Sequence, residues 1–108
     1  MLVAIAPRSY REAVALYIHN HRPLAEVLIA PPGELENEVG RFRPHVVVSN
    51  EATEDVRGSV HSWVEILFED SLSANVRVDG LRSRKVEDIG MDDLFGVLDK
   101  TEELLSSE

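Results

Sequence analysis

The residues able to do chemistry are few and fall in two stretches. Arg8 and Ser9 follow the apolar run Leu2 to Ala6 after Pro7, and Ser9 with Glu12 has the S-x-x-E spacing of a capping box. A guanidinium beside the free N–H groups of a helix start favours negative charge, so this pair could hold a small anion. The plainer account is a cap and a solvated charge. Asn50, Glu51 and Thr53 form a second polar group just after three consecutive valines. Glu51, Glu54 and Asp55, with Glu69 and Asp70 further on, could bind a divalent cation or serve as an acid/base pair. Loop acids in an acidic chain are ordinarily only solvated.

His19 and His21 are two apart, which points them away from each other on a helix, and no neighbour completes a zinc spacing. His45 opens an apolar run and His61 precedes Trp63, yet no G-x-S-x-G elbow accompanies either one. Gly33, Gly40 and Gly58 are too scattered for a phosphate loop. Cysteine is absent, which removes thiol nucleophiles, disulfides and cysteine-bound zinc together.

The elements that must position these groups are legible from hydrophobic period. Leu2 to Ala6, Val27 to Ala30, Val46 to Val48 and Trp63 to Phe68 are short apolar runs of the kind buried on both faces of a parallel sheet. Between them, Tyr10, Ala13, Val14, Tyr17 and Ile18 mark one helical face that Pro23 ends. Pro31 and Pro32 introduce a second helix carrying Leu35, Val39 and Phe42. The polar stretch 50–62 reads as a loop with at most one short helix. Alternation across 75–86 around Asp79-Gly80 predicts a hairpin at one sheet edge. Met91, Leu94, Phe95, Leu98, Thr101, Leu104 and Leu105 then share the face of a closing helix. The order of elements predicts one α/β domain over 1–108: a three-layer, flavodoxin-like, mostly parallel sheet of order 2-1-3-4, with the hairpin beyond. In such a sheet the crevice lies at the strand ends between the first and third strands, here Arg8, Ser9, Asn50, Glu51 and Thr53.

With 108 residues, 44% of them hydrophobic, the chain has material for one core. Twenty acids against 11 lysines and arginines give a formal charge of −9, which disfavours nucleic acid and anionic membranes as partners. No run approaches the length of a spanning helix. The apolar start is too short for a signal core, and a cysteine-free domain suits a reducing compartment, so a cytoplasmic location is the expectation.

The first strand, the helix beginning Ser9-Tyr10-Arg11-Glu12-Ala13 and the segment Arg43-Pro44-His45-Val46-Val47-Val48-Ser49-Asn50 together resemble the receiver domain of two-component response regulators. The likeness covers roughly the first half of the chain. In that family the segment ends in an aspartate that accepts a phosphoryl group. Asn50 stands there instead, and an amide cannot form the acyl phosphate. The family's acidic pair after the first strand, which holds magnesium, is replaced by Ala6, Pro7 and Arg8. Its Lys-Pro after the fifth strand has no counterpart, and only Ser71 could be a displaced match to its hydroxyl residue. The resemblance thus implies a pseudo-receiver that keeps the scaffold without phosphotransfer.

From these readings the expectation is a non-catalytic regulatory or protein-interaction domain with no cofactor or metal. Its partner would be another protein or a second copy, the last helix offering one face for a homodimer. Trp63, Tyr10 and Tyr17 are the side chains large enough to mark a partner site if exposed, although core packing is the simpler role. The alternative is a small-anion binding domain that uses the strand-end crevice.

Overall fold

In the computed structural model, which describes residues 1–68, 72–78 and 82–106, the strands form one six-stranded mixed sheet of order β2-β1-β3-β4-β5-β6. β1 is Leu2–Ala4, β2 Leu28–Ile29, β3 Val46–Ser49, β4 Ser62–Phe68, β5 Leu72–Arg77 and β6 Arg84–Val86. The first four pair in parallel, with Ala4 beside Ser49 and Ser49 beside Glu65; β5 and β6 add antiparallel at the edge. Val46, Val47 and Val48 are at most 1% exposed, and each buried valine contributes about 1.5–3 kcal/mol. That burial on both faces is what fixes β3 in the middle of the sheet.

Helices cover both faces, as alternation of strands and helices requires. α1 (Arg8–His21) and α4 (Met91–Ser106) pack Val14, Ile18, Leu94, Phe95 and Leu98 against Val3, Val48, Val64 and Ile66. α2 (Leu35–Phe42) and α3 (Glu54–Ser59) cover the other face with Leu35, Val39 and Val56 against Leu2, Ala4 and Val47. Two polar ties lock the first layer. Arg22 donates Nε and Nη2 to the two carboxylate oxygens of Asp99 at 2.9 and 2.8 Å, and its guanidinium lies over the Phe95 ring. Buried Ser62 and Thr101 hydroxyls meet at 2.6 Å, and Thr101 in turn donates to the Val97 carbonyl at 2.7 Å.

Three sequence expectations need correction or placement. Ser9 does not cap α1: the helix begins two residues earlier than such a cap requires, at Arg8, the extended residue Pro7 is the N-cap, and its carbonyl accepts from Tyr10 and Arg11 at 3.1 Å. Ser9 is therefore inside the first turn and exposed, and Glu12 pairs with Arg8 at 2.8 Å instead of closing a box. Phe42, expected on the buried face of α2, is 44% exposed because the helix ends there. The antiparallel pairing of β5 with β6 agrees with a hairpin, while its turn at Asp79-Gly80 lies outside the described residues, as do Glu69, Asp70 and Ser71.

Candidate functional site

At the carboxyl ends of β1 and β3 lies a crevice of about 370 Å³. Asn50, Glu51 and Thr53 line it as expected, together with Ser49, Glu36, Asn37 and the Pro32–Leu35 turn, whereas Arg8 and Ser9 do not. Asn50 and Thr53 are engaged in holding the backbone, and Glu51 takes part through its carbonyl. Asn50 accepts the Ala6 N–H on its side-chain oxygen at 2.7 Å, strapping the exit of β3 to the exit of β1. Ser49 donates its hydroxyl to the Glu51 carbonyl at 3.0 Å. Thr53 is the N-cap of α3, accepting from the Val56 N–H at 3.4 Å and donating to Glu36 at 3.1 Å. Side chains with ionisable groups in this lining are the carboxylates Glu36 and Glu51, the wrong sign for the anion that Arg8 and Ser9 suggested.

Behind the crevice stands Glu65, a carboxylate 8% exposed on β4. One oxygen accepts the Ala52 N–H at 2.7 Å and an Arg57 Nη2 donor at 3.4 Å; the other accepts from the Asn75 amide at 3.1 Å. Burial alone would push this carboxyl up, but the Ala52, Asn75 and Arg57 donors together hold it below the usual glutamate range. Glu65 thus fixes the loop between β3 and α3 to the sheet. Arg57 also lies over the Trp63 ring, 4.6 Å from its centroid, while its Nε and the Trp63 Nε1 are buried without a hydrogen-bond partner among the described residues. Trp63 itself is 3% exposed, a core residue.

The histidines divide. His21 stacks on Tyr17 at 4.2 Å beside Phe95, and His19 is exposed on the same helix. His45 and His61 come together at 5.2 Å in a cleft of about 510 Å³ between α2 and α3. Glu36 and Asp55 also line that cleft, but among the described residues no three His, Cys, Asp or Glu side chains converge as a metal ion requires. Glu51, Glu54 and Asp55 are exposed; the last two sit in the first turn of α3, where the helix dipole favours them.

A further concavity of about 260 Å³ opens between α1 and the start of α4, walled by Val14, Ile66, Ile89, Met91 and Leu94 with Tyr10 and Tyr17 at its rim. Burial raises the Tyr10 phenol above its ordinary value. Glu65 and Arg57 are what the residue pattern does not single out, whereas Tyr10 and Tyr17 at this rim are two of the three large aromatics it named. A glutamate interrupting the apolar run Trp63 to Phe68 was the available signal for the first, but its partners come from 13 and 10 residues away. No family model matches the chain, and neither a curated protein nor a solved structure matches it.

Proposed function

We propose that this chain is a non-catalytic protein-interaction module on a receiver-like scaffold, and that it engages its partner through the groove between α1 and the Ile89–Leu94 segment. The observation that carries the reading is the groove itself: a concavity floored by buried apolar side chains, with Tyr17 46% exposed at the rim. An open apolar concavity with aromatic edges is the form of surface on which interface energy concentrates. The use of Asn50 as a strap to Ala6, where receivers carry the acceptor aspartate, supports the non-catalytic part.

A photo-crosslinking residue at position 17 tests this, with position 8 on the far end of the same helix as the comparison. A discrete adduct at 17 and not at 8, either a dimer of this chain or one partner from the source cell, is the expected result. Melting at several protein concentrations then separates the two, because self-association makes the midpoint rise with concentration. Equal smears at both positions, with no concentration dependence, would remove the groove from the reading.

A further inference from the structure

Four of the eleven lysines and arginines of this acidic chain fall within nine residues. From Arg77 to Lys85 the sequence has Arg77, Arg82, Arg84 and Lys85 against Asp79 alone, a local charge of +3, so the remainder of the −9 chain carries −12. Strand register assembles part of this segment with a cation from across the sheet. Arg77 pairs opposite Trp63, and Lys85 opposite Asn75, which is itself opposite Glu65. Alternation along the strands therefore puts Trp63, Glu65, Asn75, Arg77 and Lys85 on one face. Arg57 reaches over Trp63 onto the same face from α3.

There a crevice of about 330 Å³ is lined by Arg57, His61 and Arg77, with the backbone around Gly58 as its floor. Donors are in excess. Arg77 is exposed and makes no ion pair among the described residues; the Arg57 side chain is part-exposed and its contact to Glu65 is only 3.4 Å. Glu65 is buried and already accepts from Ala52 and Asn75, so it does not neutralise both guanidiniums. Two guanidinium forks opening on one crevice match the planar geometry of carboxylates.

We propose that this crevice and the edge beside it bind an acidic segment of a protein partner, whose carboxylates pair with Arg57, Arg77 and Lys85. The cations argue for a chain of acids over a single small anion, since Lys85, on the same face and one strand further out, extends the cationic strip past the crevice; its 3.6 Å contact to Glu87 is exposed on both sides and weakened by solvent. This rests on the reading of the chain as an interaction module, but it uses a different surface from the Tyr17 groove. The acidic remainder repels such a segment at long range, yet at physiological salt that field is screened beyond about 8 Å, leaving short-range pairing to decide.

Trp63, the only tryptophan, lies under Arg57 and reports occupancy directly. Hexaglutamate titrated into the protein is expected to change Trp63 emission saturably and raise the melting point, while hexaglutamine does neither. Arg77→Gln weakens the effect about tenfold and Arg8→Gln leaves it unchanged. Raising salt from about 0.05 to 0.3 M weakens it further. No saturable change in emission or melting, an equal response in Arg77→Gln, or the same response to inorganic phosphate at equal concentration would each overturn the proposal. Because position 17 crosslinking reads another face, either reading can fail alone.

Discussion

Replacing Glu65 by glutamine tests the hub that ties the β3–α3 loop to the sheet. The side chain keeps its shape but has one acceptor oxygen where the carboxylate has two. That oxygen can still take the Ala52 N–H, and the new NH2 can meet Asn75 only if the Asn75 amide turns over to present its oxygen. The charge-assisted part of the contacts to Ala52, Asn75 and Arg57 is lost. Hydrogen bonds to a charged group are worth about 1.5–3 kcal/mol, against about 1 kcal/mol for neutral ones, so a net cost of about 2 kcal/mol at neutral pH follows. In a domain of this size that lowers the melting point by about 10 °C. The pH dependence has a fixed sign. The folded carboxyl titrates below its unfolded value, so its stabilisation is complete above the ordinary glutamate pKa of about 4.3 and is lost as pH falls through the lower folded value. Wild type and Glu65→Gln should therefore differ most at pH 7 and converge in acid, measured by calorimetry in matched buffers. A gap of under about 2 °C at pH 7, or one that stays constant into acid, would refute the assignment of Glu65 as an ionised anchor.

Other perturbations follow from the same contacts. Asn50→Ala leaves the Ala6 N–H without its 2.7 Å acceptor and should cost about 1 kcal/mol in denaturant unfolding, whereas Asn50→Asp keeps an acceptor and stays within about 0.5 kcal/mol. That aspartate variant is also expected to take up no phosphoryl group from acetyl phosphate with magnesium, because Ala6, Pro7 and Arg8 supply no carboxylate for the metal; a phosphorylated species on a phosphate-affinity gel would contradict this. Thr101→Val removes one partner of the buried Ser62 hydroxyl and the donor to the Val97 carbonyl and should cost about 1–2 kcal/mol, while Thr101→Val with Ser62→Ala costs less than the two single changes added, as a double-mutant cycle will read.

How much was legible depended on range. The valine run 46–48 and the apolar first strand define their places because burial on both faces leaves a strand no other pattern, and from them the strand order with its edge hairpin followed. Pro23 and Pro31-Pro32 bounded helices because a missing N–H acts locally. The start of α1 was misread for an equally local reason: S-x-x-E fits a cap, but Pro7 was already extended and took the position. Asn50, Glu51 and Thr53 were rightly placed at the strand ends, since topology alone sets that location. What they do there was not readable, because the acceptor for Ala6 lies 44 residues along the chain. Glu65 with its donors, and Arg57 with Arg77, are likewise assembled by strand register, which is a property of the sheet and not of any window of sequence.

The sheet's mixed character explains where free binding capacity remains. In its parallel half, crossover helices on both faces bury the strands, and polar groups at the strand ends are drawn into holding the loops: Asn50 to Ala6, Thr53 to α3, Ser49 to Glu51. An antiparallel edge needs no crossover, so β5 and β6 join without adding a helix, and their outward residues are not obliged to be apolar. Arg77 and Lys85 can then occupy that face at little cost to the core, in a protein whose net charge is −9. The polar groups at the parallel strand ends are committed to structure, while Arg77, without an ion pair among the described residues, lies at the opposite side of the sheet. The physical consequence is that substitutions at Asn50 or Thr53 should be felt as stability, and substitutions at Arg77 as binding.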